Sequence, residues 1–130
     1  MRAALLIGMM AVSGCQIPVA PQVRNAPSFG TYLGSETRLL DGDLVNFKVR
    51  MSGNLGKRDL IDYAECVAAQ YTLVRGYAFA RHVRTTVDRQ GNAWVADAIY
   101  TISATIPRGL RTIEADVIVD ACQARGIPTV

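Results

Sequence analysis

The chain has 130 residues, half of them hydrophobic, with a net charge of +3, three cysteines and a single histidine. That length and composition fit one small domain with a real core plus a short tether, not a multidomain protein. The basic excess is slight and spread along the chain, so no nucleic-acid partner is expected.

The first segment reads as a targeting sequence. Met1-Arg2 is a short positive start, and Ala3 to Val12 is apolar, with Leu5, Leu6, Ile7, Met9 and Met10. Roughly 20 apolar residues are needed to span a bilayer, so this run has the length of a signal peptide instead. Small residues, Ser13 and Gly14, then precede Cys15. Val12-Ser13-Gly14-Cys15 resembles the lipobox of bacterial lipoprotein signal peptides. That resemblance implies removal of residues 1–14 and lipidation of Cys15 by a diacylglyceryl thioether, usually with an added N-acyl chain. Each buried methylene contributes about 0.8 kcal/mol and one chain binds only marginally, so several chains make a stable anchor. The alternatives are an ordinary cysteine behind a removable signal, or a buried N-terminal helix. Gln16 stands where an Asp favours retention in the inner membrane. The expected location is therefore the bacterial envelope, facing the periplasm, on the outer membrane rather than the inner.

Residues 16 to about 30 carry Pro18, Pro21, Pro27 and Gly30 with little apolar periodicity. They read as an extended tether, semi-rigid where proline fixes the backbone. The tether is assigned to 15–35 and the domain to 36–130. Tyr32 to Leu40 is ambiguous, with a short edge strand as one reading and Asp41-Gly42 as its turn.

Leu44 to Met51 alternates: Val45, Phe47, Val49 and Met51 on one side, Asn46, Lys48, Arg50 and Ser52 on the other. That is a half-buried strand, ended by Ser52-Gly53-Asn54. Lys57 to Arg75 predicts a helix, with Leu60, Ala64, Val67, Tyr71 and Val74 as its apolar stripe and Ile61 and Ala68 beside it. Lys57, Arg58, Asp62, Glu65 and Arg75 form the polar side, and Gly76 suits the left-handed stop. Phe79 to Val87 predicts a strand, Arg89-Gln90-Gly91-Asn92 a hairpin turn, and Ala93 to Ala104 its partner. Ile106-Pro107-Arg108-Gly109 is a loop. Thr112 to Asp120 predicts a last strand, with Ile113, Ala115, Val117 and Val119 inward and Glu114, Asp116 and Asp120 outward. The tail from Cys122 reads as irregular. The fold class is α+β: an antiparallel sheet of about four strands, ordered β-α-β-β-β in sequence, with one amphipathic helix packed on one face.

With Cys15 taken by lipid, Cys66 and Cys122 remain. An even pair in an oxidising compartment suggests a disulfide, clipping the helix to the sheet edge and worth roughly 4 kcal/mol on the loop-entropy model. Two buried free thiols are the alternative. Zinc needs a full tetrahedral ligand set, which two cysteines and His82 do not supply, so neither metal nor cofactor is expected.

Tyr63-Ala64-Glu65-Cys66-Val67-Ala68-Ala69, leading into Arg75-Gly76-Tyr77 and a strand, resembles a group of small uncharacterised bacterial lipoproteins. The likeness covers about residues 44–105. It implies the strand, helix and hairpin core and transfers no functional residue beyond the lipidated cysteine.

Candidate chemistry is sparse. His82, flanked by Arg81 and Arg84, reads as a strand residue facing solvent or a hydrogen-bond partner, and cations beside it disfavour its protonated form. Asp41-Gly42-Asp43 has the start of a calcium loop but lacks the later oxygen ligands, so it reads as a turn. Asp59, Asp62 and Glu65 read as a solvated helix face rather than acid–base machinery. No nucleophile elbow, phosphate loop or His-Glu-x-x-His occurs. Lys48, Arg50, Arg81 and Arg84, with Arg89, form a candidate contact surface if the outer sheet face is open. Anionic headgroups, peptidoglycan or an acidic envelope protein would suit it, against ordinary exposed strand residues as the alternative. The expected function is a membrane-anchored envelope lipoprotein with a non-catalytic binding or assembly role. A small-ligand carrier or enzyme with an unrecognised site is one rival, marked by a deep apolar pocket with convergent polar groups. A mainly structural envelope lipoprotein is the other.

Overall fold

The computed structural model describes residues 29–129. The segment expected to be a signal peptide, Cys15 and most of the expected tether therefore lie outside the described residues. Strand β1 (Phe29–Asp41) and strand β2 (Leu44–Asn54) form a hairpin. Gly42, at φ +56°, supplies the left-handed backbone its tight turn requires. The Asp41-Gly42-Asp43 turn is thus as expected, and the ambiguous stretch is a full edge strand. The boundary at 35/36 falls inside β1, because residues 29–32, 34 and 35 already pair with β2.

Val45, Phe47, Val49 and Met51 of β2 are completely buried, and the residues between them are half-buried. Helix α1 (Lys57–Val74) covers that buried face. It starts where the Asp59 carboxylate accepts the Gly56 N–H at 2.9 Å, satisfying a free amide at the helix start. Leu60, Ala64, Val67 and Ala68 pack onto β2, and Phe47 meets the rings of Tyr71 and Tyr100 edge-on at 5.5 and 6.0 Å. Strand β3 (Phe79–Gln90) and strand β4 (Ala93–Ser103) form the second hairpin. Ala96 and Ala98 of β4 are fully buried on the α1 side, and their small side chains let the helix approach closely.

The C-terminal part departs from expectation. Only Thr112–Glu114 is a strand, β5, and helix α2 (Ala115–Arg125) follows it. Ile113, Ala115, Val117 and Val119 alternate like a strand, but Ala115, Val119 and Cys122 also recur at helical spacing. The helical set is the one buried, while Val117 is 55% exposed. Asp116 in the first turn and Arg125 in the last suit the helix dipole, and Gly126 ends it at φ +69°. The tail is ordered around that stop: Ile127 is buried and its N–H donates to the Cys122 carbonyl.

The result is an α+β fold with a curled antiparallel sheet of five strands, ordered β1-β2-β4-β3-β5, and two helices. It has one strand and one helix more than expected. Cys66 and Cys122 form a disulfide. It joins α1 to α2, not α1 to the sheet edge, because Cys122 sits inside the second helix. That helix also changes the faces of α1. Asp62, expected on the polar side, is only 7% exposed, whereas Val74 of the expected stripe is 67% exposed at the helix end. Arg58 Nε and Arg125 Nη2 hold the Asp62 carboxylate at 2.8 and 2.7 Å. Ala69 packs against Ala115 and Val119. Among the described residues, no helix is long and apolar enough to cross a membrane.

Candidate functional site

Strand alternation decides which side chains share a face. The odd residues of β2 go to α1, so Lys48 and Arg50 go to the other face. Register carries this across the sheet. Lys48 lies opposite Asp97, Arg50 opposite Val95, Arg84 opposite Ile99 and Arg81 opposite Thr101. The four expected cations therefore do share the face that α1 leaves uncovered. Arg89 does not: it lies opposite Trp94 on the helix side, with its guanidinium 5.2 Å from the indole centroid. Acids interleave with the cations. Glu36 sits beside Lys48 on β1, and Asp88 and Asp97 lie on the same face. Lys48 thus stands between two carboxylates, while Arg50, Arg81 and Arg84 have no acid directly opposite. The face carries mixed charge rather than a purely basic patch.

A second feature lies at the other side of the molecule. A groove of about 660 Å³ runs between α1 and the β3–β5 edge. A bulge between His82 and Arg84 opens it by inserting Val83 as an extra residue into β3. Bulges bend a strand and re-aim its side chains. The His82 ring stacks edge-on against Tyr100 at 5.2 Å. Its Nδ1 is 3.3 Å from Arg111 Nη1, and its Nε2 is 2.8 Å from Thr85 Oγ1. A guanidinium only donates, so Nδ1 is the acceptor. The proton therefore sits on Nε2 and is donated to Thr85. Burial, then the Arg111 charge, hold the imidazole below its ordinary value. His82 is a hydrogen-bond partner as expected, but the cation that matters is Arg111, 29 positions away, not its strand neighbours. With both ring nitrogens engaged, His82 has no free lone pair for general-base work.

Glu65 lines the same groove from α1. Burial raises its carboxyl above the usual range, Asp62 adds to this, and Arg58 and Arg125 oppose it. The Tyr100 hydroxyl is also raised, first by burial and then by Glu65. The Thr112 hydroxyl is buried with no hydrogen-bond partner. The acids expected together separate by role: Asp59 caps α1, Asp62 bridges α1 to α2, and Glu65 faces the groove. Among the described residues, no cluster of three or more His, Cys, Asp or Glu is placed to hold a metal ion.

Residues 32–126 match the YNQ4 C-terminal domain family. The chain belongs to that family. The match spans Tyr32 in β1 to Gly126 at the end of α2, so the YNQ4 C-terminal domain comprises nearly all of the five strands and both helices, with Cys66 and Cys122 inside it. It extends well beyond the 44–105 core in which the likeness to small bacterial proteins was read, and it leaves Cys15 outside. An uncharacterised 26.9 kDa protein in the nqo8 5′ region of Paracoccus denitrificans is 31% identical over 85 residues, 65% of this chain. The chain spans about one third of that relative, 33% of its length. No solved structure matches the chain.

Sequence reasoning missed Arg58, Tyr100, Arg111 and Thr112 as groove residues. Arg111 carries no motif; it follows a loop and is placed only by the pairing of β5 with β3. The pairing of Arg81 with Thr112 is the register that brings it beside His82.

Proposed function

We propose that this YNQ4 C-terminal domain belongs to a lipid-anchored envelope protein that works by binding rather than catalysis. Cys15 is the lipidated residue, the membrane is reached through that lipid, and the outer membrane is preferred over the inner. The observation that supports a binding role is the uncovered sheet face, where Lys48, Arg50, Arg81 and Arg84 share one side with interleaved acids. A mixed-charge face suits an envelope protein with complementary charges better than a uniformly anionic surface such as lipid headgroups, and better than peptidoglycan. Charge complementarity of this kind fixes register and suppresses wrong partners.

In-cell cross-linking through a photoreactive side chain at position 50, followed by mass spectrometry, tests the reading. One recurrent envelope protein is the expected product. No recurrent product from position 50, with the domain folded, removes the sheet face as the contact surface.

A second reading, a small-ligand carrier, is favoured by one observation: the groove beside α1 joins apolar walls to converging polar groups. It is compatible with the same anchor and address.

A further inference from the structure

The groove is organised around Arg111. Among the described residues it is the sole non-glycine with positive φ, at 64°. Long unbranched side chains rarely occupy that region, and such strain persists only where the surroundings hold it. Here two contacts to one residue hold it. The Arg111 carbonyl accepts the His82 N–H at 3.1 Å, and its Nη1 donates to His82 Nδ1. The second contact uses one of five guanidinium N–H groups. The rest form a planar fork that matches a carboxylate.

The surroundings fit an anion with an apolar body. Arg58 lines the same groove, with Glu65 as its acid. Burial raises the Glu65 carboxyl above its ordinary range. Ile61, Val83 and Ile113 supply apolar wall. The Thr112 hydroxyl on that wall has no partner within the described protein. The volume, about 660 Å³, lies within the range of small-molecule sites.

We infer that the groove binds a small amphipathic anion, a carboxylate bearing a short apolar chain, with the Arg111 guanidinium as its principal partner. This rests on the carrier reading above and names its ligand class. One free fork favours a single carboxylate over a multiply charged phosphate. The walls favour a hydrocarbon body over a fully polar one.

The test is an NMR titration of the oxidised full chain carrying Cys15→Ser, so that no attached lipid competes. The probes are octanoate, octanol, acetate and inorganic phosphate, each below any micelle-forming concentration. Octanoate is expected to move the amides of His82, Val83 and Thr112 and the Arg111 Nε–H, and to leave Lys48, Arg50 and Val95 unmoved. Arg111→Asn, which tolerates left-handed backbone, should weaken octanoate ~10-fold or more and leave octanol unchanged. Arg50→Gln should alter neither. The Arg111 Nε–H shift is read without any change at Arg111, so the test survives a variant that fails to fold. Octanol bound in the groove as tightly as octanoate overturns the anionic assignment while leaving the carrier reading standing. Acetate or phosphate bound as tightly as octanoate overturns the amphipathic one. Octanoate affinity unchanged in folded Arg111→Asn removes Arg111 from the site. No probe shifting groove amides ends both the inference and the carrier reading.

Discussion

Removing the Cys66–Cys122 bridge is the most quantitative perturbation the fold offers. The two cysteines are 56 positions apart and both side chains are almost wholly buried, at 2% and 3% exposure. A loop of that length restricts the unfolded chain by about 4 kcal/mol on the loop-entropy model. Small domains have a total stability of about 5–15 kcal/mol, so this is about a quarter or more of the whole. The bridge also sits where its loss is felt locally. It connects α1 to α2, which also meet through Ala69 with Ala115 and Val119, with Leu73 and Ile118 packed against them, and through the Asp62–Arg125 pair. The paired variant Cys66→Ala with Cys122→Ala should therefore lose about 3–5 kcal/mol and melt roughly 15–30 °C lower. Urea denaturation of the variant against the oxidised parent measures the first quantity, and calorimetry the second. Hydrogen exchange should show α2 opening before the β2–β4 core. A loss under about 1 kcal/mol would mean that the helices hold each other without the bridge, and would refute the reasoning.

Further outcomes follow from other parts of the molecule. Cys15→Ala should move the protein from the membrane fraction to the soluble fraction; unchanged fractionation would refute the lipid anchor. Asp62→Ala removes the anion that links Arg58 to Arg125; both guanidinium groups are more than half exposed and return to water, so the cost should be about 0.5–1 kcal/mol, read by the same denaturation assay, with a double-mutant cycle against Arg125→Ala isolating the pair. Phe47→Ala empties the centre of the core and should cost about 3–5 kcal/mol; a smaller loss would show that Tyr71 and Tyr100 collapse into the space. His82 should titrate below its ordinary value, because burial and Arg111 both disfavour its charged form. The unfolded chain then binds the proton more readily than the folded one. This part of the stability is present above about pH 6.5 and is lost as pH falls from there through the folded-state value. NMR titration of the His82 ring measures it, and Arg111→Asn should raise it; no upward shift would show that Arg111 is not one of the causes.

Much of the fold was legible in the sequence, for physical reasons that differ by element. In β2 every second residue is large and apolar and every other one polar, so only one face can be buried. The β3–β4 hairpin carries Gly91 at its turn, at φ +62°, which signals a reversal locally. Helix α1 has a wide apolar surface and a glycine stop. The second helix was obscured because Ala115 and Val119 fit both periods, and Val117 weighted the pattern toward a strand. Strand β1 was obscured because it is an edge: Leu33, Leu39 and Leu40 are about half exposed, so alternation does not mark them as core. On the sheet face, alternation alone placed Lys48 and Arg50 together, and the register supplied the interleaved acids. The groove depended on contacts between residues far apart in sequence, above all Arg111 with His82, and no local pattern encodes them.

The two borders of the sheet bear on how readily the folded protein could add a foreign strand. An unpaired strand edge is a template for a foreign strand. At β5 the border is three residues long, too short to seed a stable added strand. At β1 it is thirteen residues long, but its register with β2 shifts between Tyr32 and Gly34 and again between Leu39 and Asp41. The longest uninterrupted ladder runs from Gly34 to Leu39, and within it a parallel, in-register stack of identical chains would set Glu36 against Glu36 and Arg38 against Arg38, like charge on like. Repairing the irregularity between Leu39 and Asp41, away from the Tyr32–Tyr63 contact, would lengthen the sticky margin, so the expected phenotype is slow fibrous aggregation rather than unfolding.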